Sequence, residues 1–144
     1  MNSTTVLSII FTIVGLAAGI FAAKTFWKAG NFKLKGDKAA FAAAQFGWAE
    51  KTPLGVIRVI GLLEVLGSIG VVLAPIAAII TGQVAIQLLG VAAAAGLALT
   101  MVAAMILHQA RGESKYTFKM NFFLFLPAVV AAVADALVVL PLQF

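Results

Sequence analysis

The sequence predicts an all-α integral membrane protein: a four-helix bundle with both termini outside. Three observations carry that prediction. The chain of 144 residues is 63% hydrophobic, it contains four long apolar segments, and its basic residues are confined to alternate loops. A water-soluble domain of this size keeps too much of its surface exposed to hide so much apolar area. At a mean hydropathy of +1.12, lipid must be part of the solvent.

The elements follow in order as one membrane domain over residues 1–144. Span one runs from about Val6 to Phe26 and span two from about Leu54 to Ala74. Span three lies within Ile76–Leu107, starting near Val84, and span four runs from about Phe122 to Leu140. Each reaches roughly the 20 residues that cross a hydrocarbon core of about 30 Å at about 1.5 Å per residue. The first segment lacks a basic n-region and its apolar stretch is too long for an h-region, so it is expected to be a span and not a leader. Between spans two and three, Pro75–Gln83 (PIAAIITGQ) is expected to form the turn, with a short piece of helix inside it. Proline disfavours helix at the residue before it, and Gly82 permits a reversal.

Charge sets the orientation. Loop one holds Lys28, Lys33, Lys35, Lys38 and Lys51, with Lys24 and Arg58 at its edges, and loop three holds Arg111, Lys115 and Lys119. The tails and loop two hold no lysine or arginine. The positive-inside rule therefore places loops one and three in the cytoplasm of a multi-pass plasma (inner) membrane protein. Within loop one, Phe41, Ala44 and Trp48 recur at helical spacing, which predicts a short interfacial helix anchored in the headgroup zone. The net charge of +5 calls for anionic headgroups and not nucleic acid, because the lysines cluster beside the membrane. The chain contains no cysteine. Disulfides, thiolate metal sites and thiol redox chemistry are thereby excluded.

Span two raises the functional question, because it carries Glu64 near its centre. A central carboxylate costs on the order of 2.5–3.5 kcal/mol to insert, while each surrounding Leu, Ile or Val returns roughly 0.3–0.6 kcal/mol. The span therefore inserts in spite of Glu64. Gly61, Glu64, Gly67 and Ser68 share one helical face, and small residues there admit a neighbouring helix. Glu64 is thus expected to face the bundle interior. Arg58 lies six positions earlier, about a third of a turn away around the axis, so the partner must come from another span or be a proton.

Depth gives the other candidates. Thr100 comes level with Glu64, whereas Lys24, Arg58, His108 and Asn121 lie nearer the cytoplasmic mouth of a polar funnel. Asp135 sits deeper, on a face shared with Ala128, Ala131 and Ala132, and should also point inward. Span one offers Gly15, Gly19 and Ala23 as a packing stripe. Ordinary roles exist beside these. Lys24 and Arg58 suit snorkelling anchors, His108 an interfacial histidine, and Asp135 a hydrogen bond within the bundle. A single histidine without cysteine makes no metal site, and no catalytic set is recognisable.

These features together resemble the DoxX-like family of small bacterial four-span membrane proteins. The resemblance rests on a lysine closing span one in "FAAKTFWKAGNFK", on "RVIGLLEVLGSIGVVLAP", on "AAAAGLALTMVAAMILHQARGE" with its His and basic Gly-Glu tail, and on the final apolar span. It covers nearly the whole chain. Lys24, Glu64 and His108 carry over, with Arg58, Arg111 and Glu113 as weaker matches. The resemblance implies kinship with a subunit of a thiosulfate–quinone oxidoreductase and with membrane redox or oxidative-stress assemblies. Sulfur chemistry through a protein thiol cannot be inherited by a cysteine-free chain.

The expected role is non-catalytic: an accessory or scaffold subunit that meets membrane lipid, other membrane proteins or further copies of itself. No cofactor is required, with a quinone or lipid as the ligand suited to a polar pocket around Glu64. The alternative is a proton-coupled small-molecule transporter with Glu64 as its protonatable site.

Overall fold

The computed structural model describes residues 3–140. Four long helices, α1 (Ser3–Lys35), α4 (Leu54–Thr81), α5 (Val84–Ala110) and α6 (Ser114–Val139), are each long and apolar enough to cross a membrane. Two short helices, α2 (Lys38–Ala43) and α3 (Gly47–Lys51), fill the first loop. Helix α1 packs on α4 and α6, and α5 packs on the same two, so the four long helices form a ring α1–α4–α5–α6.

The interior is drawn in stripes of alternating three- and four-residue spacing. The buried positions of α1 are Gly15, Gly19, Ala22, Phe26, Gly30 and Lys33; those of α4 are Ile57, Gly61, Glu64, Ser68, Val71, Pro75 and Ala78. A period near 3.5 keeps one seam facing its neighbour along the full helix and favours crossing angles near 20°. The stripe on α1 passes through Ala22, fully buried, and leaves the expected Ala23 only half-buried. Outside the seams the helices are covered with exposed Leu, Ile, Val and Phe, including Leu63 at 54% and Leu99 at 66%. That apolar exterior is what lipid requires.

Glycine brings the helices unusually close where α1 crosses α4. A Cβ built on Gly30 would stand 2.7 Å from the Gly61 carbonyl oxygen, and one on Gly61 would stand 2.7 Å from the Gly30 carbonyl oxygen. Neither position admits a larger residue without separating the helices.

Besides the start of α6, which lies at Ser114 and not near Phe122 and so takes Lys115 and Lys119 onto a helix, the structure differs from expectation at three places. Helix α1 does not end at Phe26 but continues nine residues further, to Lys35. Helix α4 does not break before Pro75; it continues through that proline to Thr81, and Gly82 closes it in the left-handed conformation (φ 68°). Pro75 has no N–H to give the Val71 carbonyl four residues back. That oxygen lies instead where Gly19 of α1 approaches, 2.9 Å from the position of a Gly19 Cβ, while the proline ring fits against Gly90 of α5 at 2.9 Å from its would-be Cβ. Neighbouring helices thus accommodate the freed carbonyl and the ring, as membrane bundles permit. Third, the expected interfacial helix is two helices. Gln45 takes a positive φ of 58° and separates α2 from α3. Their aromatic rings fold inward: Phe41, fully buried, meets Phe32 edge-on at 5.4 Å and Phe46 at 6.3 Å, over Ile57.

Candidate functional site

Helix α4 carries Glu64 on its buried stripe at 1% exposure. The carboxylate is held on both oxygens by one group: Lys33 Nζ donates to Oε1 at 2.8 Å and to Oε2 at 2.7 Å. Lys33 reaches Glu64 because α1 extends past Phe26 and because helical side chains lean toward the helix N-terminus, here back into the bundle. Its stem passes over Gly61, where a Cβ would meet Lys33 Cβ at 2.8 Å. The missing side chain at Gly61 is therefore the space the lysine occupies. Ser68 completes the environment by donating its hydroxyl to the Glu64 backbone carbonyl at 2.6 Å. The result is an ion pair sealed between two helices, with Lys33 at 9% exposure closing the expected funnel.

Register fixes what lies level with the pair. Gly67 of α4 faces Leu97 of α5, so Glu64, three residues earlier, comes level with Thr100, as depth counting predicts. Thr100 donates its hydroxyl to the Leu97 carbonyl at 2.6 Å. Farther along the bundle, Asp135 of α6 is 1% exposed, with the Gln87 amide of α5 beside it and Gly15 of α1 against it. Asp135 Oδ2 has no hydrogen-bond partner. Met101 and Asn121 each stand fourteen residues from the Gln87–Asp135 contact on their antiparallel helices, so Asn121 shares the depth of Thr100 and lies deeper than the mouth position expected for it. Asn121 is 4% exposed and its Nδ2 lacks a partner. The interior therefore has two polar layers, Lys33–Glu64 with Asn121 and Thr100 below, and Asp135 with Gln87 above, about 20 Å apart along the axis.

The other candidates lie elsewhere. Lys24 and Arg58 are exposed on the outer faces of α1 and α4, so neither enters the polar interior. His108 sits at the end of α5, where its Nδ1 lies 2.7 Å from Glu113 Oε2, while Arg111 Nε donates to Glu113 Oε1 at 2.7 Å. These three residues clamp the turn into α6. The two hydrogen bonds, His108 first and Arg111 second, hold the Glu113 carboxyl below its ordinary range. Gly47 of α3 rests against this clamp, 3.4 Å from Arg111 Nη2 at its would-be Cβ, so the first loop is seated on the third. Lys38 fixes that loop from within by donating to the carbonyls of Ala49, Glu50 and Thr52 at the end of α3.

Among the described residues, Lys33, Gln87 and Ser68 are the buried polar residues beyond the sequence candidates. Lys33 was legible only as the last step of the stripe Gly15-Gly19-Ala22-Phe26-Gly30. Two surface hollows lie away from Glu64. One is lined by Thr4, Leu7, Ser8, Phe11 and 137–140, the other by Met105, Ile106, Gln109, Ala110 and Phe118.

Comparison with known proteins places this geometry in a family. No curated protein and no solved structure matches the chain. The model of the DoxX-like family, by contrast, matches residues 6–136, from the first turns of α1 to the last turn of α6. A bundle with apolar spans and an interior glutamate on the second of them, matched along nearly its whole length, belongs to the DoxX-like family.

Proposed function

We propose that this DoxX-like protein is a non-catalytic accessory or scaffold subunit of a redox or stress-related assembly in the bacterial inner membrane. One observation carries the reading. The central carboxylate is bonded on both oxygens by Lys33 and buried to 1%, so it is committed to joining α1 to α4 and is not open to a substrate. A quinone or lipid headgroup would reach Glu64 only by displacing Lys33, so ligand holding is the smaller part of this role. The large apolar exterior supports lateral contact with membrane partners.

Proton-coupled transport is the second reading, favoured by a specific feature: two buried carboxyls, Glu64 and Asp135, stand at two depths of one interior, and Asp135 keeps an unpartnered oxygen. Reconstitution separates the two readings. Purified protein in liposomes with an imposed proton gradient is expected to show no substrate-coupled proton flux, and gentle extraction from the native membrane is expected to recover stoichiometric partner subunits. Flux abolished by Glu64→Gln would overturn the scaffold reading.

A further inference from the structure

The outward face of α1 is unlike those of α4 and α5. Beyond Arg58, the lipid-facing positions of α4 remain apolar through Val59, Leu62, Leu63, Leu66, Ile69 and Leu73. Helix α1 instead exposes Lys24 and Lys28, with Asn31 and Lys35 continuing the same ribbon at spacings of four, three and four. The ribbon lies opposite the buried stripe, so it cannot serve the interior.

Its depth is the telling quantity. Gly19 faces Val71 and Gly30 faces Gly61, which brings Lys24 level with Leu66 and Gly67 of α4. Arg58 comes level with Lys33 by the same register, so Lys24 starts nine residues, about 13 Å, deeper than Arg58. A lysine side chain does not span that distance. Side chains of α1 also lean toward its N-terminus, away from the basic end, so Lys24 is poorly directed for simple snorkelling. An uncompensated lysine at such depth is expensive.

No described residue supplies the counter-charge. Among the described residues, the ion pairs are Lys33–Glu64, His108–Glu113 and Arg111–Glu113, and none involves Lys24 or Lys28. Asp37 caps α2, Asp135 is buried, and Glu50 lies in the loop, so a second copy offers no acid at this depth. Docked stripe to stripe, two copies would oppose lysine to lysine. What fits is a small, mobile anion that approaches from the basic side and carries its own apolar body.

We propose that Lys24 and Lys28, flanked by the half-exposed Trp27 and by Phe21, form a seat for the headgroup phosphate of one anionic phospholipid, drawn below the plane of its leaflet against the outer face of α1. The acyl chains lie along Ile20, Phe21 and Ile13, which are 56%, 43% and 61% exposed. A net-negative headgroup is favoured over a zwitterionic one, whose own cation would face the two lysines.

Trp27 reports on this seat directly, because the chain has only two tryptophans. In a Trp48→Phe background, fluorescence quenching is measured in vesicles containing phosphatidylglycerol and phosphatidylcholine, with acyl-chain bromine on one lipid or the other. A basic residue near the surface is worth about a fivefold preference for anionic lipid. Trp27 is therefore expected to be quenched by brominated phosphatidylglycerol with an apparent preference of about fivefold or more over phosphatidylcholine. Lys24→Gln/Lys28→Gln should bring that preference to about one, Lys24→Arg/Lys28→Arg should retain it, and Lys115→Gln/Lys119→Gln should leave it unchanged. All four lysines are exposed, and each variant is to be checked for folding by helical circular dichroism. Equal quenching by the two lipids in the parent protein would overturn the proposal and point to an acidic partner helix instead. A preference that survives Lys24→Gln/Lys28→Gln would overturn it as well, as general attraction to the basic loops.

Discussion

Replacing Lys33 with methionine keeps an unbranched apolar stem out to Cε and deletes the ammonium. Two charge-assisted hydrogen bonds disappear, at 2.7 and 2.8 Å, each worth about 1.5–3 kcal/mol. Glu64 is left buried without a partner, and breaking a buried pair in this way costs on the order of 3–5 kcal/mol. Both side chains are nearly sealed, at 11% and 2% exposure, so solvent screening does little to reduce that figure. Removing both charges is a different perturbation. Lys33→Met/Glu64→Leu leaves no orphan, and hydrophobic replacement of a whole buried pair is often neutral or stabilising. The coupling energy from the double-mutant cycle is therefore expected to be at least about 2 kcal/mol, measured by reversible unfolding in mixed micelles followed by helical circular dichroism. Additive single effects would refute the reasoning, because they would mean that the two side chains do not meet.

Further outcomes follow from the packing and the surface clamp. Gly30→Ala and Gly61→Ala should each lower stability by about 1–3 kcal/mol in the same assay, since a methyl meets a carbonyl oxygen across the crossing. Gly96→Ala, where nothing lies within 4 Å, should instead stabilise α5 by up to about 1 kcal/mol through helix propensity. Gly15→Ala places a methyl 2.6 Å from Asp135 Oδ1, so its penalty should shrink when combined with Asp135→Ala; an unchanged penalty would separate the two sites. The pH dependence has a definite sign at Glu113. Its folded carboxyl is held below the ordinary value of 4.5, so the clamp contributes fully above that pH and is lost as the pH falls below it. Thermal midpoints recorded from pH 7 to 3 should fall more steeply for the parent protein than for Glu113→Gln over the acid limb, and should differ least in slope near neutrality.

The sequence was informative where one physical signal sufficed. Hydropathy located four spans, and the spacing of Gly61, Glu64 and Ser68 turned Glu64 inward, where it is buried. Asp135 likewise faces the interior. The partner of Glu64 was not legible, because hydropathy ends the first span at Phe26 and assigns Lys33 to a loop. A helix that outlasts its apolar segment is visible only in the continuation of its packing stripe. Pro75 misled for a related reason. The rule that proline ends a helix presumes that nothing else faces the freed carbonyl, whereas here Gly19 of α1 approaches it and Gly90 of α5 makes room for the ring. In loop one, aromatic spacing suggested a single helix, but the positive φ of Gln45 turns the chain so that Phe41 and Phe46 stack over Ile57. Tertiary contact decided all three cases.

The central claim concerns two side chains, and solid-state NMR of the protein in bilayers addresses it directly. With 15N on lysine Nζ and 13C on glutamate Cδ, only Lys33 and Glu64 among the described residues bring a lysine within ion-pair distance of a glutamate carboxylate. Of the three glutamates, Glu50, Glu64 and Glu113, one should therefore show strong dipolar dephasing by 15N, and that component should vanish in Glu64→Gln. A glutamate signal that stays wholly undephased would contradict the account.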